Sequence, residues 1–492
     1  MPNKNNLKNK AISGIIWSGL QKYSTIFIQF ISGIILARLL TPYDYGCIGM
    51  LLIFMVLAEA FIDGGFGAAL IQKKSPTQED YSTIFFWNIG VAAIMYIILY
   101  ACAPAISRFY GIPVLCPVLR VQGIVLFIYA FNIVQRNLLR KQLKFRILSI
   151  VSITTSVIAL SVTVFLAYSG YGVWSLVVQN ILIAAIPAFV FWFFIKWRPA
   201  AVFSWKSFRE LFSFGFYMFL THLMNQFGTQ LQGLLIGKFY NPSTMGYYTK
   251  AFGTERLASN SISSVMTQVT YPVYAEAQDD KRKLANMIRR MTMTLAFITF
   301  PMMFILMLCA KPIFVALYSE RWLDSVPYFQ ILCLAGLAGC LQSINLQSIA
   351  AIGKSKVMFI WTVIKRVVGI AFVVLGLVFF GMEGLLAGVV LNYWFSYFVN
   401  IGLVSKYIGY RFWKQILDIL PMAVSSTLFA VVTYFAVSSF HLGLYPDGIL
   451  KFLIYAVLYI AWAVVLKPEA YKYFVSLVPS LKSIRTRHNK TI

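Results

Sequence analysis

Five basic residues stand inside otherwise apolar runs: Lys22, Lys250, Arg256, Lys365 and Arg366. A charge at the centre of a bilayer costs about 2.5–3.5 kcal/mol unless it faces water or a counter-charge. Gathered around one chamber of low dielectric, these groups would attract a phosphate-bearing or acidic-sugar anion, Arg as a planar fork and Lys as a point charge. The competing reading puts Lys365 and Arg366 one or two turns inside a cytoplasmic helix end and lets Lys250 snorkel outward. A second set is polar without charge. His222, Gln226 and Gln230 recur every four residues, as do Asn225 and Thr229. That spacing gathers them on one helix face, where amides suit sugar hydroxyls and His222 reads as a hydrogen-bonded core residue. A third set is acidic: Glu59 and Asp63, four apart, and Glu255 beside Arg256. These carboxylates suit either coupling to H+ or Na+ or structural pairing, Lys22 being the partner for Glu59 or Asp63.

Nothing in these sets is catalytic. The chain has no Walker-type phosphate loop. Its six cysteines lack metal or redox spacing and read as small buried apolar residues. No metal and no cofactor is expected beyond the coupling cation.

The elements that must hold these groups follow from composition. Of 492 residues, 60% are hydrophobic and 12% charged, far from the roughly 45–50% and 25% of soluble domains. That excludes a soluble enzyme, a disordered chain and a disulfide-rich secreted domain, and points to an all-α polytopic membrane protein. Fourteen apolar segments approach the roughly 20 residues of a span: 12–37, 45–69, 83–104, 115–136, 147–168, 173–195, 210–237, 245–271, 291–316, 326–350, 357–380, 384–405, 414–438 and 447–467. The weakest, 245–271, carries Lys250, Glu255, Arg256 and Asn260. With it counted, 30 basic residues fall in the proposed cytoplasmic segments and six in the opposite loops, a positive-inside split that puts both termini and the 272–290 connection in the cytoplasm. Dropping it inverts everything downstream. The net charge of +26 is therefore a topology signal and a face toward anionic lipid, and no nucleic-acid partner is expected. Ile12–Leu36 is too long for a cleaved signal and reads as a retained first span.

Pro42 and Gly46 match Pro242 and Gly246 at an offset of 200; Gly172, Val178 and Asn180 match Gly384, Val390 and Asn392 at 212, an offset Lys144 and Lys356 share. Spans one to six and seven to twelve thus read as two copies of one unit, both entering from the same side. The expected division is an N-lobe over 1–200, a C-lobe over 201–410, two further spans over 411–470 and a basic tail over 471–492, with Pro42, Gly46, Pro242 and Gly246 as helix-boundary or gating elements.

The motifs Ala11-Ile-Ser-Gly-Ile-Ile-Trp17, Leu36-Ala-Arg-Leu-Leu-Thr-Pro42, Phe61-Ile-Asp-Gly-Gly-Phe-Gly67, Leu70-Ile-Gln-Lys73, Tyr271-Pro-Val-Tyr-Ala275 and Leu346-Gln-Ser-Ile-Ala-Ala-Ile-Gly-Lys354 run in order along the chain. In them the chain resembles Wzx-type polysaccharide exporters, especially the colanic-acid exporter-like branch, within the superfamily of lipid II flippases and multidrug antiporters. The resemblance spans about residues 8–470. It implies two six-helix lobes around a central cleft, two C-terminal helices, and alternating-access export of undecaprenyl-pyrophosphate-linked oligosaccharide across the bacterial plasma membrane. It implies cationic cleft residues, a role carried to Lys22, Lys250, Arg256, Lys365 and Arg366. The expected partners are membrane lipid, the polyprenyl-pyrophosphate-linked oligosaccharide and the polysaccharide polymerase machinery. A flippase for lipid II or a teichoic-acid precursor, or a multidrug antiporter, would share the architecture. A polymerase or ligase would need a larger external loop; only Glu320, Arg321 and Asp324, and His441 with Asp447, offer charged external clusters.

Overall fold

The computed structural model describes residues 4–73, 75–277 and 280–475, so most of the expected basic tail lies outside the described residues. Every regular element among them is helical. The first half holds α1 (Lys4–Leu39), α2 (Pro42–Asp63), α3 (Phe66–Gln72), α4 (Gln78–Tyr110), α5 (Leu115–Gln122), α6 (Ile124–Lys141), α7 (Phe145–Tyr168) and α8 (Val173–Phe194). The second holds α9 (Trp205–Phe239), α10 (Pro242–Glu276), α11 (Lys281–Leu308), α12 (Ala310–Tyr318), α13 (Ser325–Ala351), α14 (Ser355–Ile408), α15 (Phe412–Ser438) and α16 (Leu444–Leu466). Among the described residues eleven helices are long and apolar enough to cross a membrane, and the protein is a multi-pass membrane protein.

That set treats α14 as one helix, although Gly381 breaks it with φ 63° and ψ −140°. It omits α9 and α10, both 35 residues long, because their polar side chains dilute them. The expected 272–290 loop is mostly helix: α10 runs on to Glu276 and α11 resumes at Lys281, capped by Asp280, whose carboxylate accepts from the amides of Arg282 and Lys283 at 3.0 Å.

The chain forms two compact units, Met1–Thr249 and Lys250–Ile492. In the first, α1 packs on α7, α4 on α6, α7 on α8, and α9 on α2 and α3. The linker into α9 is tied to α4: Ala200 and Ser204 donate their amides to Ser82 Oγ and Thr83 Oγ1, both at 3.0 Å. In the second unit α13 packs on α14 and α11, and α15 packs on α11 and α16. Arg289 of α11 fixes the last helices there, its guanidinium donating to Asp418 at 2.7 Å and to Glu469 at 2.5 Å.

Three local geometries occur twice. α2 begins at Thr41, whose Oγ1 accepts from the Asp44 amide at 3.4 Å, with Pro42 in the first turn; α10 begins after Asn241, whose Oδ1 accepts from the Thr244 amide at 2.8 Å, with Pro242 in the same place. The turn before α7 has Leu143 at φ 56° and Lys144 at φ −83°, ψ 52°; the turn before α14 has Gly353 at φ 74° and Lys354 at φ −84°, ψ 47°. Gly172, before α8, has φ 52° and ψ −127°, close to the values at Gly381. The backbone therefore equates Gly172 with Gly381 and Lys144 with Lys354, offsets of 209 and 210. The identity matches at 212 were set by residue letters, and they miss the conformation, which only glycine holds without strain.

Candidate functional site

The first unit brings the repeated Pro/Gly motifs together. A Cβ on Gly46 would collide with the Pro242 carbonyl, and a Cβ on Gly246 with the Pro42 carbonyl. The reciprocity is what two copies of one helix start produce when they cross backbone to backbone. Glycine is required at both points because nothing but hydrogen fits.

Deeper in this unit, α1, α2, α5, α6, α7 and α8 enclose a cavity of about 420 Å³. Glu59 and Arg136 line it within electrostatic range of each other, with Gln29, Tyr129, Asn132 and Asn180. Asn132 Oδ1, Gln122 Oε1 and Thr155 Oγ1 are buried there without a protein hydrogen-bond partner. Sequence reasoning singled out Glu59 but not this amide set; amides recurring inside apolar runs of four different helices were the available signal. Asp63 has a separate place at the end of α2. The Gly65 and Gly67 amides face its carboxylate, and His222 and Arg140 lie within electrostatic range, so its environment is that of a turn. Lys22 forms no ion pair with Glu59 or Asp63, which corrects the expected pairing. His222 is exposed rather than in the core, its Nε2 lying 3.3 Å from Gln226 Nε2. Asn225, Gln226 and Gln230 are half-buried along the same helix.

At the polar end of this unit, Lys73 bridges Asp80 and Glu210, each at 3.0 Å. Burial lowers the Lys73 ammonium, but the two carboxylates outweigh it and hold it above the usual lysine range. Lys141 donates to the carbonyls of Leu70 and Lys73, closing the C-terminus of α3.

The second unit holds four of the five predicted cations. Lys250 is 7% exposed, and its Nζ lies 4.1 Å from the centre of the Tyr318 ring and 5.4 Å from that of Trp322. Both rings present their faces to the ammonium, a cation–π arrangement. The Tyr318 hydroxyl lies 3.0 Å from Thr254 Oγ1, which fixes the ring. Arg256, Arg366 and Tyr393 lie within electrostatic range of one another, and the Arg256 guanidinium stands over the Phe252 ring at 5.1 Å. Lys365 donates to Asn400 Oδ1 at 2.9 Å. Glu255 is 5% exposed and has one carboxylate oxygen without a hydrogen-bond partner. It presses on α13, where a Cβ on Gly336 would collide with it. Helices α10 and α14 thus set Arg256 and Arg366 in one electrostatic neighbourhood. Lys22 belongs to the first unit. The ring and amide partners, Tyr318, Trp322, Tyr393 and Asn400, carry no sequence spacing that marks them. Two guanidinium forks beside one buried carboxylate can hold an anion bearing several oxygens.

Residues 35–327 match the family described as polysaccharide biosynthesis protein. The teichuronic acid biosynthesis protein TuaB of Bacillus subtilis is 26% identical over 357 residues, 72% of this chain and 74% of that protein. The lipopolysaccharide biosynthesis protein WzxC of Escherichia coli is 23% identical over 436 residues, 87% and 89% of the two chains. The succinoglycan biosynthesis transport protein ExoT of Rhizobium meliloti is 24% identical, covering 71% of each. Among solved structures, the lipid II flippase MurJ in an inward closed conformation superposes with a TM-score of 0.73 at 17% identity, over 92% of this chain and 98% of that one. At that identity the likeness speaks for the fold alone. With more than half of its length matched, the chain belongs to the polysaccharide biosynthesis protein family of multi-pass membrane proteins, as its resemblance to the Wzx-type exporters implies.

Proposed function

We propose that the protein carries an undecaprenyl-pyrophosphate-linked oligosaccharide from the cytoplasmic to the outer leaflet of a bacterial plasma membrane, making and breaking no covalent bond. The observation that carries the reading is that Arg256 and Arg366 lie within electrostatic range of each other, in a chain whose relatives are named for polysaccharide biosynthesis and, in one case, transport. The cargo has two incompatible parts. Its sugars and diphosphate cannot enter hydrocarbon, since each unpaired buried polar group costs about 2–7 kcal/mol, while its polyprenyl tail prefers lipid. A polar passage open sideways carries the head and leaves the tail outside.

On this reading fourteen spans, with α14 counted as two and α9 and α10 included, form two six-helix lobes plus α15 and α16, and both termini are cytoplasmic. Arg256 and Arg366 grip the diphosphate, Lys250 and Lys365 add charge, and Asn225, Gln226 and Gln230 touch sugar hydroxyls. Lys22 is a fifth cationic contact of the passage. The motifs at Pro42/Gly46 and Pro242/Gly246 meet in one access state and part in the other. Glu59, Asp63 and Glu255 are the carboxylates available for coupling to H+ or Na+, and a polymerase takes up the product. The test uses purified protein in proteoliposomes with a fluorescent polyprenyl-diphosphate oligosaccharide and a membrane-impermeant quencher. Accelerated equilibration between leaflets supports the reading. Transfer of lipid II or of a cationic dye alone would replace it with the other cargoes.

A further inference from the structure

The two units treat the lysines at their helix ends differently. In the first, Lys73 is matched by Asp80 and Glu210, and Lys141 is spent on backbone carbonyls. In the second, Lys281, Lys354 and Lys406 surround a pocket of about 350 Å³ whose other lining residues are Leu284, Ile352, Tyr407 and Ile408. Among the described residues no carboxylate lines it. The nearest described one in sequence, Asp280, accepts the first-turn amides of α11. Three chain segments converge here: the first residue of α11, the turn between α13 and α14, and the last turn of α14. Each is held by backbone. Lys354 donates its amide to the Ile349 carbonyl, and Gly409, at φ 91°, closes α14 on the Val404 and Ser405 carbonyls. The floor is apolar, with Leu284 and Ile408 buried. Tyr407 stands between two of the ammonium groups, its ring centre 5.9 Å from Lys354 Nζ and 5.7 Å from Lys406 Nζ.

Three like charges fixed around one void repel each other, and an anion in the void reverses the sign of that energy. The pocket lies where three spans end, the depth of lipid headgroups. Below it, Ile360, Ile364 and Val367 expose apolar side chains at i, i+4 and i+7 of α14, a stripe on which hydrocarbon can lie. We infer that this pocket is a binding site for an anionic glycerophospholipid, its headgroup phosphate held by Lys281, Lys354 and Lys406 and its acyl chains along the 360–367 face of α14. Basic pockets at the ends of spans are the usual seat of such headgroups. A free anion would leave the stripe unused. A lipid-linked oligosaccharide has the same two parts, but its glycan does not fit a pocket of about 350 Å³. The site is independent of the proposed transport.

The experiment is native mass spectrometry of the full chain, released from nanodiscs of phosphatidylglycerol and phosphatidylcholine in equal amounts. The expected result is retention of phosphatidylglycerol over phosphatidylcholine. The preference should fall about fivefold per lysine in Lys281→Gln, Lys354→Gln and Lys406→Gln, singly and combined. A control triple, Arg411→Gln, Lys414→Gln and Lys467→Gln, should keep it, and thermal unfolding in lipid-free detergent should be the same for both triples. Equal retention of the two lipids overturns the site. So does an equal loss in the control, which would mean a diffuse basic rim. Displacement of the lipid by millimolar inorganic pyrophosphate would assign the pocket to soluble anions, and displacement by the polyprenyl-diphosphate oligosaccharide would assign it to cargo; either result also overturns the proposal.

Discussion

Helices α2 and α10 start alike and end in opposite chemistry. Both open on a polar cap followed by proline, both carry a glycine four residues later, and those glycines meet each other's helix starts. At the offset of 200 set by these motifs, Met50, Met55 and Val56 of α2 answer to Lys250, Glu255 and Arg256 of α10. The first copy has apolar side chains at these three positions, and its cavity is lined with amides, hydroxyls and the Glu59–Arg136 couple. The second places cations on the equivalent helix and supports them with Tyr318, Trp322 and Tyr393. On the proposed reading a duplicated backbone separates two tasks, polar contact in one copy and anion contact in the other, without changing the scaffold.

The sharpest way to break that contrast is to remove the charges. Arg256→Ala and Arg366→Ala should each cut cargo transfer in the proteoliposome assay by tenfold or more, since a charge-assisted contact is worth roughly 1.5–3 kcal/mol. Arg→Lys at either place should restore only part, because an ammonium lacks the planar fork. Asn132→Ala and Asn180→Ala in the first unit should cost a few-fold at most. Equal losses in both sets would erase the division of tasks.

The shared scaffold can be tested at the crossing. Gly46→Val and Gly246→Val should lower stability by similar amounts, about 1–3 kcal/mol, read as the midpoint of thermal unfolding. Gly253→Val on α10, where an added Cβ meets nothing within 4 Å, should leave the midpoint unchanged. A large effect at only one of Gly46 and Gly246 would contradict the reciprocal contact.

The smallest effect concerns the link that exists only in the second unit. Arg289 holds the Glu469 carboxyl below its usual range. A lowered carboxyl stabilises the fold above its unfolded value, about pH 4.3, and loses that contribution as pH falls through its folded value. Wild type should therefore unfold slightly above Glu469→Gln at pH 7 and converge with it in acid. A gap that stays constant down to about pH 3 would contradict the ion pair. The half-exposed carboxylate keeps the difference small.

Much of this was legible in the residues, for stated reasons. The apolar runs located the helices, and 245–271, the weakest of them, lies within α10. Pro42/Gly46 and Pro242/Gly246 announced the repeat because a backbone crossing admits no substitute. The later matches slipped by two or three residues, since Gly172 and Gly381 share a conformation rather than a sequence context. Lys22 falls in the first unit and the other four cations in the second, a division that charge within an apolar run does not mark. The amide cavity stayed hidden because its residues come from helices distant in sequence, and each alone reads as an ordinary polar spot.

The central claim is that Arg256 and Arg366 serve the passage of a lipid-linked sugar from one leaflet to the other. The direct measurement is the leaflet distribution of lipid-linked oligosaccharide in cells lacking the gene and any redundant exporter, complemented with wild type or with the Arg256→Ala/Arg366→Ala double variant at equal membrane abundance. The account predicts build-up in the cytoplasmic leaflet without the gene, correction by wild type, and little correction by the variant, with synthesis of the repeat unit unchanged throughout. An unchanged distribution on deletion, or full correction by the double variant, would contradict it.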